Sequence, residues 1–309
     1  MPRHMPSLTY IIVTFNSAET IAACLRSIVA SSFAGLRHSI VLVDNASKDE
    51  TVPVARGEGI PELEIVQAEE NTGFARAANL GASHADGEYL CFLNPDAAVE
   101  SDFAAEFASA AGGAVPFEIG GAALTAPSGR PAPSAWCLPS FPSLVAETFL
   151  PYTIAGFLTS RRPARAKEVG MVSGACLIVR KNVFDRLNGF NENFFLYYED
   201  ADFCRRAAAE GFRVRFHPRL RAIHAGRKSF GADAGGFFFQ YYRSRILYCR
   251  LQCSRFASRI AERSVMAGIF LRVALYGLSA RLSGSEEFRR LCIAHREAME
   301  RLQRSRSAV

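Results

Sequence analysis

The chain has no run of about 18 uncharged apolar residues, the length at which a helix becomes a candidate to cross a bilayer. Its nearest approach, 264–280, is short and carries Arg272 near the middle, so a conventional spanning helix is not expected. The early apolar run Leu8–Val13 is too brief for a signal-peptide core and has the shape of a strand. A folded protein made and kept in the cytoplasm is the expectation. The eight cysteines include no Cys-x-x-Cys pair and no ligand-spaced histidines, which argues against structural zinc. A disulfide framework is not expected without an export signal, and Cys91 and Cys176, inside apolar runs, read as small core residues. Three loops are also missing: Gly-x-x-x-x-Gly-Lys-Ser/Thr, Gly-x-Gly-x-x-Gly after the first strand, and Gly-x-Ser-x-Gly. P-loop NTPases, Rossmann dehydrogenases and α/β-hydrolases lose ground accordingly.

Lysine is scarce, since 32 of the 36 basic residues are Arg, and the arginines are unevenly spread. Residues 240–309 hold 14 Arg against 5 Glu, which leaves the first 239 residues slightly acidic although the whole chain is +6. A basic, apolar, helical tail suits an anionic membrane surface or a nucleic acid; it is equally the solvated face of packed helices. The remaining composition, 49% apolar and 21% charged over 309 residues, is that of a chain able to bury a sizeable core. Either two domains or one large α/β domain with an appendage fits.

The first 125 residues alternate strand and helix. Continuous β-branched runs at 8–14 and 39–43 read as buried strands, with further strands at 63–66 and 88–93. Helical spacing marks 18–32, where Ile21, Leu25, Ile28 and Val29 share a face, and 74–85. This pattern predicts a mostly parallel sheet with helices on both faces. From 112 to 167 the composition turns to Pro, Ala, Ser and Gly, which predicts a long irregular excursion. Strands are then expected at 172–179 and 212–216, a helix at 202–210, and helices from Gly235 onward.

Three strands end in small polar or acidic residues: Thr14-Phe15-Asn16, Asp44-Asn45 and Asn94-Pro95-Asp96. Ligands of such sheets bind outside the carboxyl ends of the strands, so three endings on one edge point to a nucleotide pocket built from side chains. Asp44 suits a base N–H. Asp96, with a diphosphate, suits magnesium or manganese, although Asn-Pro-Asp is also an ordinary turn cap. Glu199-Asp200-Ala201-Asp202 crowds three carboxylates, which raises the pKa of at least one and makes a general base. The same residues, with Arg205 and Arg206 one turn on, also satisfy a helix start. His224 by itself is an ordinary histidine; its neighbours Gly226, Arg227, Lys228 and Ser229 form a basic loop suited to a diphosphate.

Taken together, YIIVTFNSAETIAACLRSI, VLVDNASKDET, NTGFARAANLG, YLCFLNPDA, the stretch from SGACLIVR to EGFRV, and IHAGRKS resemble inverting glycosyltransferases of family 2, with a rhamnosyltransferase-like order and spacing. The resemblance covers about Ser7 to Arg250. It implies the GT-A fold, a Rossmann-like mixed and mostly parallel sheet flanked by helices, as a catalytic domain over 1–235. A basic C-terminal helical extension would occupy 236–309. It implies nucleotide-sugar contacts from Thr14, Phe15, Asn16, Asp44, Asn71, Gly73, Arg76, Asn79, Asn94 and Asp96. Asn94 stands where the family has the first Asp of its metal motif, so Asp96 carries the metal, Mg or Mn, with His224 as a second ligand. Asp200 falls at the catalytic base, beside Glu199, while Gly174 and the aromatic residues before Glu199 match acceptor-side positions. The implied donor is dTDP-L-rhamnose or a UDP-sugar. The implied acceptor is a glycan or lipid-linked saccharide, reached at the inner face of the plasma membrane. Tyr241, Tyr242, Ile246, Leu247, Ile269, Phe270 and Leu271 of the tail are the residues that would contact the membrane, and a homo-oligomer fits as well. Two other classes stay open: a non-catalytic nucleotide-sugar-binding protein, against which the Glu199-Asp200 pair speaks, and a nucleic-acid binder, for which no binding module is present.

Overall fold

A computed structural model describes residues 6–31, 35–113, 116–150, 165–226 and 233–307. They group into two compact units. The first takes the described residues of 1–138, 159–195 and 199–226, and the second those of 139–158, 196–198 and 227–309. In chain order the elements are β1 (Leu8–Thr14), α1 (Ile21–Ala30), β2 (His38–Asp44), α2 (Thr51–Gly57), β3 (Leu63–Gln67), α3 (Phe74–His84), β4 (Tyr89–Leu93) and β5 (Ala97–Val99). Next come α4 (Phe103–Ala111), β6 (Ile119–Thr125), β7 (Pro131–Ala132), β8 (Ala135–Trp136) and α5 (Phe141–Phe149). They are followed by β9 (Lys167–Glu168), β10 (Met171–Val172), β11 (Cys176–Arg180), α6 (Lys181–Arg186), α7 (Glu199–Ala209) and β12 (Val214–His224). The chain closes with α8 (Ala234–Gln252), α9 (Arg255–Ser283) and α10 (Glu286–Ser307).

The sheet of the first unit runs β3-β2-β1-β4-β11-β6-β12-β5. Its first four strands are parallel; β11 is antiparallel to both neighbours, β12 is parallel to β6, and β5 is antiparallel to β12. Leu8, Tyr10 and Ile12 of β1 pack with Ile21 and Leu25 of α1 and Phe103 and Phe107 of α4. Val41 and Val43 of β2 meet Ala77 of α3 in a second cluster. With both faces covered, the strands read as unbroken apolar runs, and each fully buried Ile or Leu contributes about 1.5–3 kcal/mol of transfer free energy. Cys91 and Cys176 are buried in that core. The parallel register also sets the strand ends level, with Thr14 beside Asp44 and Asp44 beside Gln67.

Three expectations fail. The stretch 112–167 is not irregular throughout, since it supplies β6 in the middle of the sheet and α5. β6 reads Ile-Gly-Gly-Ala-Ala-Leu-Thr, weak as a strand signal because glycine packs nothing. The structure needs it: a Cβ on Gly121 would lie 2.3 Å from the Val172 Cβ. The expected strand 172–179 is two strands, because Ser173 turns away to donate its N–H to Ser134 O and accepts from Cys176 N–H. The strand expected at 212–216 continues to His224 through a register shift between His217 and Arg221.

The second unit has its own core, in which Tyr242 and Ile246 of α8, Val265 and Ile269 of α9, and Ala298 and Leu302 of α10 meet. Tyr242, Ile246 and Ile269 are therefore buried and unavailable to a bilayer, whereas Phe270 and Leu271 are exposed. Arg245 is fully buried and donates to Leu144 O and to Thr148 Oγ1. Arg272 donates to Thr148 O at 2.6 Å and Leu150 O at 2.9 Å, satisfying carbonyls that end α5. Tyr197 and Tyr198, which lead into Glu199, both hold positive φ, 69° and 66°, with their rings against Tyr241 of α8.

Candidate active site

Every candidate site residue lies in the first unit, and most gather where strands of the sheet end. Parallel pairing puts Thr14 next to Asp44, and the Thr14 hydroxyl donates to Asp44 Oδ1 at 3.1 Å. The Ser47 N–H donates to Asp44 Oδ2 at 3.1 Å, so the carboxylate, 2% exposed, is held from two sides. Asn16, at φ 53°, accepts from Lys48 N–H and donates its own N–H to Ser47 Oγ, tying the ends of β1 and β2 together. Phe15 between them leaves its ring exposed.

Asn45 is the residue whose importance the sequence did not reveal. It is buried, and its amide donates to Asn71 Oδ1 and Gly73 O while accepting from the Thr72 N–H. One side chain thus fastens the end of β2 to the loop that opens α3. Asn45→Ala strands the buried Gly73 carbonyl and the part-buried Asn71 and Thr72 groups, and an unsatisfied buried polar group costs about 1–3 kcal/mol. An unfolding free energy lowered by that amount, read as a lower denaturant midpoint, is expected; an unchanged midpoint would rule out the clamp.

Gly73 sits at φ 85°, ψ 173°, and a Cβ there would lie 2.4 Å from Phe195 O. That carbonyl instead accepts from the Phe74 N–H at 2.7 Å. Arg76 and Asn79 on α3 turn to the loop after α6. Arg76 pairs with Glu192 at 3.1 Å, while Asn79 brackets the Phe190 backbone, donating to its carbonyl and accepting from its N–H, both at 2.9 Å. The Asn79 amide is committed to positioning that loop. Glu192 was not singled out by sequence.

At the end of β4, Asp96 Oδ1 lies 3.2 Å from His224 Nε2, and Asn94 Nδ2 is 3.2 Å from the same nitrogen. Pairing of β12 with β5 brings His224 there. Burial pushes the Asp96 carboxyl up, but the hydrogen bond and charge of His224, with backbone N–H groups, hold it below the ordinary carboxylate value. Two donors about 2.1 Å from one cation and at right angles stand about 3 Å apart, so this pair fits two adjacent ligands of a hard divalent ion. No group of three or more His, Cys, Asp or Glu is available for a metal among the described residues. Any further ligands of such an ion would have to be water or phosphate oxygens. Arg227, Lys228 and Ser229 lie outside the described residues.

The Asn94 N–H donates to Ala175 O, which places the turn between β10 and β11 beside the Asp96 loop. From that turn the Gly174 N–H donates to Asp200 Oδ2 at 3.0 Å, and the Ala201 N–H donates to Oδ1 at 2.8 Å. Glu199 is buried, and its Oε2 has no partner among the described residues. Burial, then the neighbouring Asp200 charge, push the Glu199 carboxyl well up. Burial also raises Asp200, opposed by the N–H groups of Gly174 and Ala201. With two N–H donors on Asp200 and none on Glu199 Oε2, the pair favours the negative charge on Asp200 and a proton on Glu199. Of the aromatic residues preceding them, Phe194 is a core residue.

Comparison with known proteins identifies the family. Residues 9–187 match the family described as glycosyl transferase family 2, and 142–257 match glycosyl transferase family group 2. The N-acetylglucosaminyl-diphospho-decaprenol L-rhamnosyltransferase of Mycobacterium tuberculosis is 26% identical over 233 residues, 68% of this chain and 74% of that one. The glycosyltransferase AglE of Haloferax volcanii is 24% identical over 74% of this chain and 69% of its own. Among solved structures, the mannosyltransferase PcManGT of Pyrobaculum calidifontis, in complex with GDP-Man and Mn2+, superposes with TM-score 0.57 at 18% identity, covering 96% of this chain and 86% of its own. The S. aureus TarS structure with UDP-GlcNAc gives 0.54 at 17% identity, covering 94% and 79%. The chain belongs to glycosyl transferase family 2 and is a glycosyltransferase with the GT-A fold.

Proposed function

We propose that the protein transfers L-rhamnose, with inversion, from dTDP-L-rhamnose to a hydroxyl of a lipid-linked saccharide, working in the cytoplasm at the inner face of the membrane. One observation carries the mechanism: the Asn94 N–H to Ala175 O bond sets the Asp96–His224 pair next to the Gly174–Asp200 pair. A leaving diphosphate and an attacking hydroxyl need neighbouring groups of these two kinds. The relative named as a rhamnosyltransferase supports the sugar and the diphospholipid acceptor.

Thr14 orients Asp44 to accept from the base, and Phe15 offers its exposed ring to it. Asn45, Asn71 and Gly73 shape the loop along the nucleotide. Asp96 and His224 would hold a divalent ion, which when bound neutralises charge on the departing diphosphate; solved relatives carrying Mn2+ support one. Asp200, with both oxygens aimed by backbone N–H groups, takes the proton of the acceptor hydroxyl as that oxygen attacks the anomeric carbon opposite the leaving group.

The test is release of nucleoside diphosphate from dTDP-L-rhamnose and from UDP-sugars, with a diphospholipid-linked N-acetylglucosamine as acceptor. Turnover with dTDP-L-rhamnose, abolished by a chelator and reduced at least about a hundredfold in Asp96→Asn, is expected. Turnover with UDP-sugars alone overturns the donor, and undiminished turnover under chelation overturns the metal.

A further inference from the structure

Among the described residues of the second unit, α9 presents a long exposed apolar face. α9 has 29 residues, about 43 Å of helix, and buries Ala261, Val265, Gly268, Ile269 and Ala280 along one side. Half a turn round, Phe256, Phe270 and Leu282 are 75%, 68% and 80% exposed. Between 264 and 280 every exposed residue of this helix is apolar: Ala267, Phe270, Leu271, Ala274, Leu275 and Leu278. Arginines bracket the stretch, with Arg255, Arg259 and Arg263 before it and Arg281 after it, all exposed. The one acidic residue of α9, Glu262, is part-buried and pairs with Arg250 at 3.0 Å.

We propose that this face of α9 docks in the plane of an anionic lipid surface, its Phe and Leu side chains entering the acyl boundary and its four end arginines pairing with headgroup phosphates. An apolar face with cations at both ends and no exposed carboxylate matches such a surface in polarity and charge. By length and composition α9 can cross a membrane, with mean hydropathy 1.5 over 18 residues. Its other face is committed to the helical unit, however, and Arg272 midway along it is tied to carbonyls at the end of α5. A second copy of the chain fits less well. Antiparallel pairing of two such faces sets Arg255, Arg259 and Arg263 against Arg281, and parallel pairing sets each cluster against itself. The inference does not depend on the reading of the donor site.

The experiment is co-sedimentation of the full chain with phosphatidylcholine vesicles, pure or with roughly one-third phosphatidylglycerol, at low and high salt. Binding to the anionic vesicles that weakens with salt is expected. Each arginine near an anionic surface is worth about fivefold, so Arg255→Ala with Arg259→Ala and Arg263→Ala should lose about a hundredfold. Phe270→Glu with Leu278→Glu should abolish binding at either salt; circular dichroism checks its fold, and the arginine variant reads the proposal independently if it misfolds. Nucleoside diphosphate release in detergent by these variants should match the parent, which separates this result from the donor reading. A parent protein left in the supernatant with anionic vesicles, a folded double variant that still pellets, or a dimer dispersed by the same substitutions without vesicle binding would overturn it.

Discussion

Replacing Asp200 by Asn lowers glycosyl transfer by about 10²–10⁴-fold, the usual contribution of a positioned general base, and leaves donor binding nearly intact. Asparagine keeps the shape, but with one acceptor oxygen it can accept from only one of the Gly174 and Ala201 N–H groups, which meet different carboxylate oxygens, and it cannot take a proton. Glu199→Gln makes the contrast. Because the pair favours a proton on Glu199, glutamine imitates that state, and a loss under about tenfold is expected. Single-turnover rates of the two variants decide the matter: a nearly active Asp200→Asn beside a dead Glu199→Gln would exchange their roles. A pH profile adds a second reading. Since burial raises the Asp200 carboxyl, the rate should fall on the acid side at a pH above the ordinary carboxylate value near 4.

Gly73→Ala is the second large effect, and here the cause is steric. The backbone occupies a region essentially reserved for glycine, and the new methyl would meet a main-chain carbonyl, Phe195 O, that cannot rotate aside. Strain and overpacking together cost on the order of 3–5 kcal/mol. The loop also carries Asn71, which Asn45 grips, so nucleotide affinity falls with stability. Thermal melting and nucleotide titration of the same variant measure both; an alanine variant with the parent's melting temperature would contradict the description of this loop.

Much of this was legible in the sequence where local pattern and tertiary environment agree. β1, β2 and β4 are covered on both faces, so their apolar runs announced them, and their polar endings announced the edge that carries the site. β6 was not legible, because glycine gives no strand signal and Gly121 answers to the close approach of Val172, some fifty residues on. The division of 172–179 depends on Ser134, some forty residues earlier. Asn45 read as one more polar strand ending, although its bonds reach residues 26–28 positions on. The tail shows the reverse. Its apolar residues looked equivalent in sequence, and helix packing left Tyr242, Ile246 and Ile269 inside and Phe270 and Leu271 outside.

On this reading the strand ends build a nucleotide site completed by a divalent ion at Asp96 and His224. Melting of the protein with dTDP, UDP and GDP compounds, each with and without manganese, tests it most directly. A ligand at 100 times its dissociation constant adds about 2.7 kcal/mol, an upward shift of a few degrees. The account predicts that shift for dTDP compounds, dependent on manganese and lost in Asp96→Asn. A folded protein whose melting no nucleotide changes, with or without the metal, would contradict it.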